Sequence, residues 1–254
     1  MSSNSSSEVT DLFKPNDYDE NPSKYRRVRF VVVSDTHEDH QSIRIPDGDI
    51  FLHCGDFTNR HHWFNLPDNQ IPRSLVDFNQ WLGKLPHQYK IVIGGNHDIA
   101  IEKFSKDDIQ RNYLTNCIYL KDELVEIEGI SIYGCSWSND EQSKWNLIPS
   151  NINILMTHIP PKSILDSAFQ SKKSPSKKLC SMPSNSIYGV GSKRLLNEII
   201  GRIQPRVHCF GHVHDDFGSR SNQFGLDTLF INAAADLTKK TVQFDFYVRL
   251  KTEK

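Results

Sequence analysis

Residues 28–37 read Val-Arg-Phe-Val-Val-Val-Ser-Asp-Thr-His, and this stretch decides the fold. Val28 to Val33 is a short β-branched and aromatic run, which favours a buried strand over a helix. It stops at a polar cluster, Ser34-Asp35-Thr36-His37. A strand that ends in carboxylate and imidazole side chains is the unit to follow through the chain.

That unit recurs. Asp49 to Cys54, with Ile50, Phe51 and Leu52, ends in Gly55-Asp56. Tyr89 to Ile93 ends in Gly94-Gly95-Asn96-His97-Asp98. Ile152 to Met156 ends in Thr157-His158-Ile159-Pro160-Pro161, and Arg206 to Phe210 ends in Gly211-His212-Val213-His214. Helical patterns lie between. Ser74 is read as the cap of a helix carrying Leu75, Phe78, Leu82 and Leu85, and Ser192 as the cap of another carrying Leu195, Leu196, Ile199, Ile200 and Ile203. Leu124 to Tyr133 reads as a hairpin turning at Glu128-Gly129, and Leu229 to Val248 as two more strands. Strand–helix alternation with hairpins predicts an α/β fold of layered, mixed sheets flanked by helices.

The polar residues 1–24 read as a disordered arm ahead of one domain, residues 25–254. Residues 168–188, with Lys172, Lys173, Lys177 and Lys178, read as a loop insertion. Lys plus Arg number 30 and Asp plus Glu 31, so the near-zero net charge does not indicate a long basic surface, a local patch aside, and nucleic acid is not an expected partner. The five cysteines show no C-x-x-C spacing, which argues against a disulfide framework or a Cys-type zinc site and suits the cytoplasm. No apolar run is long enough to span a bilayer. Met1 to Thr10 lacks the apolar core of a secretory signal, and Ser2 stands where myristoylation needs Gly.

Five strand ends therefore carry five clusters of His, Asp and Asn. In open α/β sheets, ligand sites gather beyond the carboxyl ends of strands, so residues distant in sequence converge there. Imidazole nitrogens and carboxylate oxygens together suit Mn, Fe or Zn better than Ca or Mg. The i, i+2 spacing of Asp35 with His37, and of His212 with His214, is expected to turn both side chains of a pair the same way at an extended strand end. Each pair then faces one site or straddles two neighbouring ions.

D-x-H, G-D, G-N-H-D, a later His and G-H-x-H, in that order, resemble the signature of the calcineurin-like metallophosphoesterases over roughly residues 28–235. Gly55-Asp56-Phe57-Thr58, Thr157-His158 before Pro160-Pro161, Ile164-Leu165-Asp166 and Phe230-Ile231-Asn232-Ala233 are similar to the metallophosphoesterase-domain branch. The resemblance implies an α/β/β/α sandwich and two divalent metal ions, Mn²⁺ first, with Fe²⁺ or Zn²⁺ as alternatives. It implies that Asp35, His37 and His214 bind one ion, that Asn96, His158 and His212 bind the other, and that Asp56 bridges them. His97 would touch the substrate and Asp98 would orient His97. The implied activity is hydrolysis of a small phosphate ester by a metal-activated hydroxide, most directly a phosphodiester of the cyclic-nucleotide type. A phosphomonoesterase or phosphoprotein phosphatase is the enzymatic alternative, and a nucleotide-binding scaffold with little turnover is the non-enzymatic one. A DNA-processing exonuclease ranks below these, because no aromatic-basic stripe forms a strand track. Two departures bear on substrate choice: Ile159 replaces a small residue common there, and the 168–188 segment is long.

Other polar residues take plainer readings. His40, His61, His62 and His87 are placed in loops and His53 and His208 in strands, all as surface or packed histidines. Arg60, His61 or His62 is close enough to Asp56 in sequence to meet a phosphate, as a minority reading. Asp215 and Asp216 are read as solvated loop charges, with a supporting role beside His214 as the alternative. Cys54 is read as a small buried residue. Gly189 to Lys193 lacks a phosphate loop's order and is read as a lead into the Ser192 cap.

Overall fold

The computed structural model describes residues 7–9, 13–59, 70–138, 144–169 and 187–250. Strands β1 (Ser7–Val9), β2 (Tyr25–Val33), β3 (Ile50–His53), β4 (Tyr89–Val92) and β5 (Ile118–Tyr119) belong to one sheet with the last strand, Val242–Arg249. Strands β6 (Glu123–Ile127), β7 (Ile130–Cys135) and β8 (Ile154–Thr157) open the second sheet. Then follow β9 (Ser167–Phe169), β10 (Ile187–Gly189), β11 (Val207–Phe210), β12 (Gly218–Arg220), β13 (Leu229–Asn232) and β14 (Val242–Arg249). The first sheet runs β1-β14-β2-β3-β4-β5 and the second β12-β13-β11-β8-β7-β6. Both are mixed: β2, β3, β4 and β5 are parallel, as are β7, β8, β11 and β13, while β14, β6 and β12 pair antiparallel.

Alternation along the strands builds the layers. Phe30, Val32, Leu52 and Ile91 of the first sheet meet Ile132, Ile154, Met156, Cys209 and Ile231 of the second in one buried cluster. The opposite faces, through Val31, Val33, Phe51 and Val92, pack under helices α1 (Arg73–Lys84) and α2 (Lys106–Asn112). On the far side, Tyr133, Leu155, Phe210 and Phe230 pack under α3 (Lys193–Glu198) and the wider turn Ile199–Ile203 that continues it. The result is the expected α/β/β/α sandwich. Among the described residues no helix is long and apolar enough to cross a membrane.

Local expectations hold where the chemistry is strong. Ser192 caps α3, accepting from the Leu195 N–H at 3.2 Å. The hairpin turns at Glu128 and Gly129, both with left-handed φ of 55° and 78°. Ser74 does not cap α1. Pro72 takes the cap position with φ −69°, and Ser74 lies in the first turn with its hydroxyl buried and unpartnered among the described residues. A proline fixes the entry angle earlier than the serine predicts.

The N-terminal segment also departs from expectation. Among the described residues of that arm, β1 pairs parallel with β14, and Phe13 packs 5.6 Å from the Phe246 ring. Tyr18 stacks edge-on at 4.8 Å against Tyr247, and the Tyr25 hydroxyl donates to Asp17 at 2.6 Å. Isolated aromatics anchor this segment, and single aromatics leave no periodicity to read. The 168–188 region is likewise not loop at its ends, because β9 and β10 form an antiparallel ribbon. Its lysines lie outside the described residues.

Phe244 and Phe30 stack with centroids 4.7 Å apart in the layer between the sheets. Phe244→Ala is expected to cost about 3–5 kcal/mol of unfolding free energy in a urea titration. A loss under about 1 kcal/mol contradicts this placement of the core.

Candidate metal centre

The carboxyl ends of β2, β3 and β4 in one sheet and of β8 and β11 in the other open onto the same edge of the sandwich. The five clusters therefore meet. Asn96 Oδ1 lies 2.8 Å from His158 Nε2 and 2.8 Å from His212 Nδ1. His214 Nε2 lies 3.2 Å from Asp35 Oδ1 and 3.3 Å from His37 Nε2. Asp56 Oδ2 lies between these groups, 3.4 Å from His158 Nε2 and 3.9 Å from His37 Nε2. All seven residues expected to hold metal are thus brought together.

Main-chain contacts aim the donors. The Cys54 carbonyl only accepts, so His158 Nδ1, 2.9 Å away, carries a proton and turns Nε2 into the site. Asp35 Oδ2 accepts from the His212 N–H at 2.8 Å and leaves Oδ1 for the site. Asp56 Oδ1 accepts from the His97 N–H at 2.7 Å, so the oxygen open to both groups is Oδ2. The i, i+2 pairs do not sit on extended backbone, contrary to expectation. Asp35, His37, Asp56 and His212 have φ of 55°, 43°, 56° and 70°, a left-handed conformation that costs energy and clusters at functional sites. Glycine makes the close approach feasible: a Cβ on Gly95 would lie 2.2 Å from Asp56 Oδ1, and one on Gly211 would lie 2.1 Å from Asp35 Oδ2.

The donor set fits a pair of divalent cations. Ligand atoms of Asp35, His37 and His214 lie within 4.8 Å of one another, as do those of Asp35, Asp56 and His158, and those of His37, Asp56 and His97. Imidazole lone pairs and carboxylate oxygens face one another here, which a cation resolves.

A family model for the calcineurin-like phosphoesterases matches residues 28–216. The chain belongs to that family. It is 35% identical over 240 residues to metallophosphoesterase domain-containing protein 1 of Homo sapiens, covering 81% of this chain and 65% of that protein. It is 37% identical over 235 residues to a UPF0046 protein of Caenorhabditis elegans, covering 82% of this chain and 75% of the relative. The chain thus spans about two thirds of the human relative's length. The solved structure of TT1561 of Thermus thermophilus shares the fold, with TM-score 0.50, 12% identity and coverage of 86% of this chain and 98% of that one. The family depends on dinuclear metal sites.

Asp98 is held among main-chain donors. Its carboxylate accepts from the amides of Asp56 at 2.7 Å, Phe57 at 3.4 Å, Thr58 at 2.9 Å and Gly95 at 2.8 Å, and from the Thr58 hydroxyl at 2.7 Å. These donors fill the roughly four acceptor sites of a carboxylate. Asp98 therefore binds the Asp56 turn to the Gly95 turn. His97 itself lies beside His37, with ring centroids 4.7 Å apart.

Other residues surround these ligand groups. Asn232 donates to the Val213 carbonyl, between His212 and His214, at 2.8 Å. Asp236 Oδ2 lies 3.1 Å from His214 Nδ1, and Lys239 pairs with Asp39 at 2.8 Å. Asp215 and Asp216 accept the amides of Phe169 and Ser167 at 2.9 and 3.0 Å, which anchors the β9–β10 ribbon beside His214. Asp216 is half-buried and takes the supporting role, while Asp215 stays exposed to solvent. Cys54 is fully buried and its thiol is pushed well up by that burial, so it stays protonated. His40 and His87 are buried, while Arg60, His61 and His62 lie outside the described residues.

Carboxylates and imidazoles shift one another within the site. Burial disfavours the His158 imidazolium, yet Asp56 and then Asp35 outweigh it and raise the group to about 9. Burial, then the His158 charge, lowers His212 to about 4. Burial also lowers His97. Burial, then the Asp56 charge, raises Asp98 to about 7 against its donors. A cation at His158 Nε2 must displace a proton that is bound below about pH 9.

Two outcomes follow from this geometry. Mn²⁺ binding at pH 7 should release a proton, seen as a buffer-dependent calorimetric heat, and affinity should rise by up to about tenfold per pH unit toward pH 9. A pH-independent affinity contradicts the His158 placement. Asp98→Ala strips several buried amides of their acceptor at about 1–3 kcal/mol each, so the metal-free protein should lose several kcal/mol of stability. An unchanged metal-free Tm contradicts that role.

Proposed function

We propose that this chain hydrolyses phosphate esters, with Asp35, His37 and His214 holding one divalent cation, Asn96, His158 and His212 a second, and Asp56 both. The observation that carries the reading is the position of Asp56 Oδ2, within 3.9 Å of His37 Nε2 and 3.4 Å of His158 Nε2, between the two ligand groups. When bound, the cations supply Lewis acidity that polarises a phosphoryl oxygen and lowers the pKa of water.

The remaining chemistry belongs to the chain. Burial lowers the His97 pKa, and its ring donates a hydrogen bond to a phosphoryl oxygen of the substrate. Its main-chain N–H, fixed on Asp56 Oδ1, keeps that ring beside His37. Asn96 contributes an oxygen without a negative charge, which leaves the site more positive for an anionic ester. A phosphodiester of small or cyclic-nucleotide type is the preferred substrate, and this rests on the family resemblance. Mn²⁺ suits the mixed imidazole and oxygen donors. The free thiols of Cys54, Cys117, Cys135 and Cys209 suit a reducing compartment such as the cytoplasm.

His97→Ala should retain the wild-type metal content and lose about 10²–10⁴-fold in turnover. Wild-type turnover with metals bound refutes the role of His97. Parallel assays under Mn²⁺ with bis-p-nitrophenyl phosphate and p-nitrophenyl phosphate should favour the diester. A ratio strongly favouring the monoester replaces the diesterase reading with a monoesterase one.

A further inference from the structure

We propose that His53 and His208, two buried histidines outside the ligand set, are positioning residues that hold the threonines beside the metal ligands through a proton fixed on Nε2. This rests on the two-cation reading above. Both residues are 0% exposed and lie on strands inside their sheets, β3 and β11.

The protonation of each ring follows from its neighbours. The Gly55 N–H, which only donates, lies 3.3 Å from His53 Nδ1, so Nδ1 accepts and the neutral ring carries its proton on Nε2. That Nε2–H faces Thr36 Oγ1 at 3.1 Å. Thr36 stands between Asp35 and His37, and Gly55 precedes Asp56. One imidazole therefore joins the two loops that supply three proposed ligands. His208 repeats the arrangement in the other sheet. The Thr157 hydroxyl donates its only proton to the Ile159 carbonyl at 2.7 Å. It must therefore accept from His208 Nε2, 2.9 Å away, and Thr157 directly precedes His158.

Packing alone does not explain these rings. His53 lies against Phe78 and Phe57, with centroids 5.1 and 5.9 Å away, and His208 against Phe210 at 4.9 Å and Phe230 at 5.9 Å. An apolar ring would fill either position without a desolvation cost, and His208 Nδ1 is left buried with no partner among the described residues. What the imidazole adds is a directed donor. Burial lowers both rings to about 3, so the donor persists at every working pH. Asp35, His37 and Asp56 all sit on left-handed backbone, where a bridge across the two loops opposes relaxation.

The test is a double-mutant cycle on the full chain with Thr36→Val and His53→Phe, read as Mn²⁺ affinity by calorimetry and as the electron paramagnetic resonance signal of the Mn²⁺ pair. Each single variant should bind Mn²⁺ about 10–100-fold more weakly. The double variant should be no worse than the weaker single, and turnover should recover at saturating Mn²⁺. Wild-type affinity in Thr36→Val, or losses that multiply in the double, overturns the proposal. Should His53→Phe fail to fold, Thr157→Val with His208→Phe carries the same cycle in the other sheet. A wild-type protein that binds no Mn²⁺ pair overturns both this inference and the function on which it rests. A wild-type pair that is retained unchanged in Thr36→Val overturns this inference alone.

Discussion

Three carboxylates, Asp35, Asp56 and Asp98, are buried together where the two sheets end. An ionised carboxylate removed from water costs several kcal/mol unless it is paired and hydrogen-bonded. The rest of this edge of the molecule answers that constraint. Asp98 is satisfied by main-chain amides, and so binds the second and third strand-end loops to each other. Asp35 and Asp56 each give one oxygen to an amide and turn the other toward imidazoles. Asp56 and Asp35 hold a proton on His158, and Asp35 raises His214 as well.

The fold makes that concentration of charge affordable. A four-layer sandwich has a large apolar interior, and its parallel strands bring loops from both sheets to one edge. Strand ends fix the main chain, which in turn fixes which oxygen and which nitrogen face inward. The left-handed residues Asp35, His37, Asp56 and His212 are the local cost of this convergence. Stability held in the layers offsets strain held at the site.

Much of this is legible in the chain itself. Runs such as Phe30-Val31-Val32-Val33 announce buried strands because both faces are covered, and the ligand clusters follow because ligand sites form at strand ends. The features that spacing misses have physical reasons too. Phe13 and Tyr18 anchor the N-terminal segment singly, and a single aromatic has no period. In sequence Asp98 stands next to His97 and invites pairing with it, and the amides it binds from other strands leave no mark in the spacing. Left-handed φ at Asp35 and His37 is set by cross-loop hydrogen bonds, such as Asp35 N–H to the Gly55 carbonyl at 2.9 Å, which spacing does not encode. His53 and His208 read as strand fillers because their partners lie across the sheet.

A crystal of the Mn²⁺-loaded protein, measured on both sides of the manganese absorption edge, tests the central claim most directly. The account predicts two anomalous peaks, one among Asp35, His37 and His214 and one among Asn96, His158 and His212, with Asp56 touching both. A single peak, or peaks away from Asp56, would contradict it.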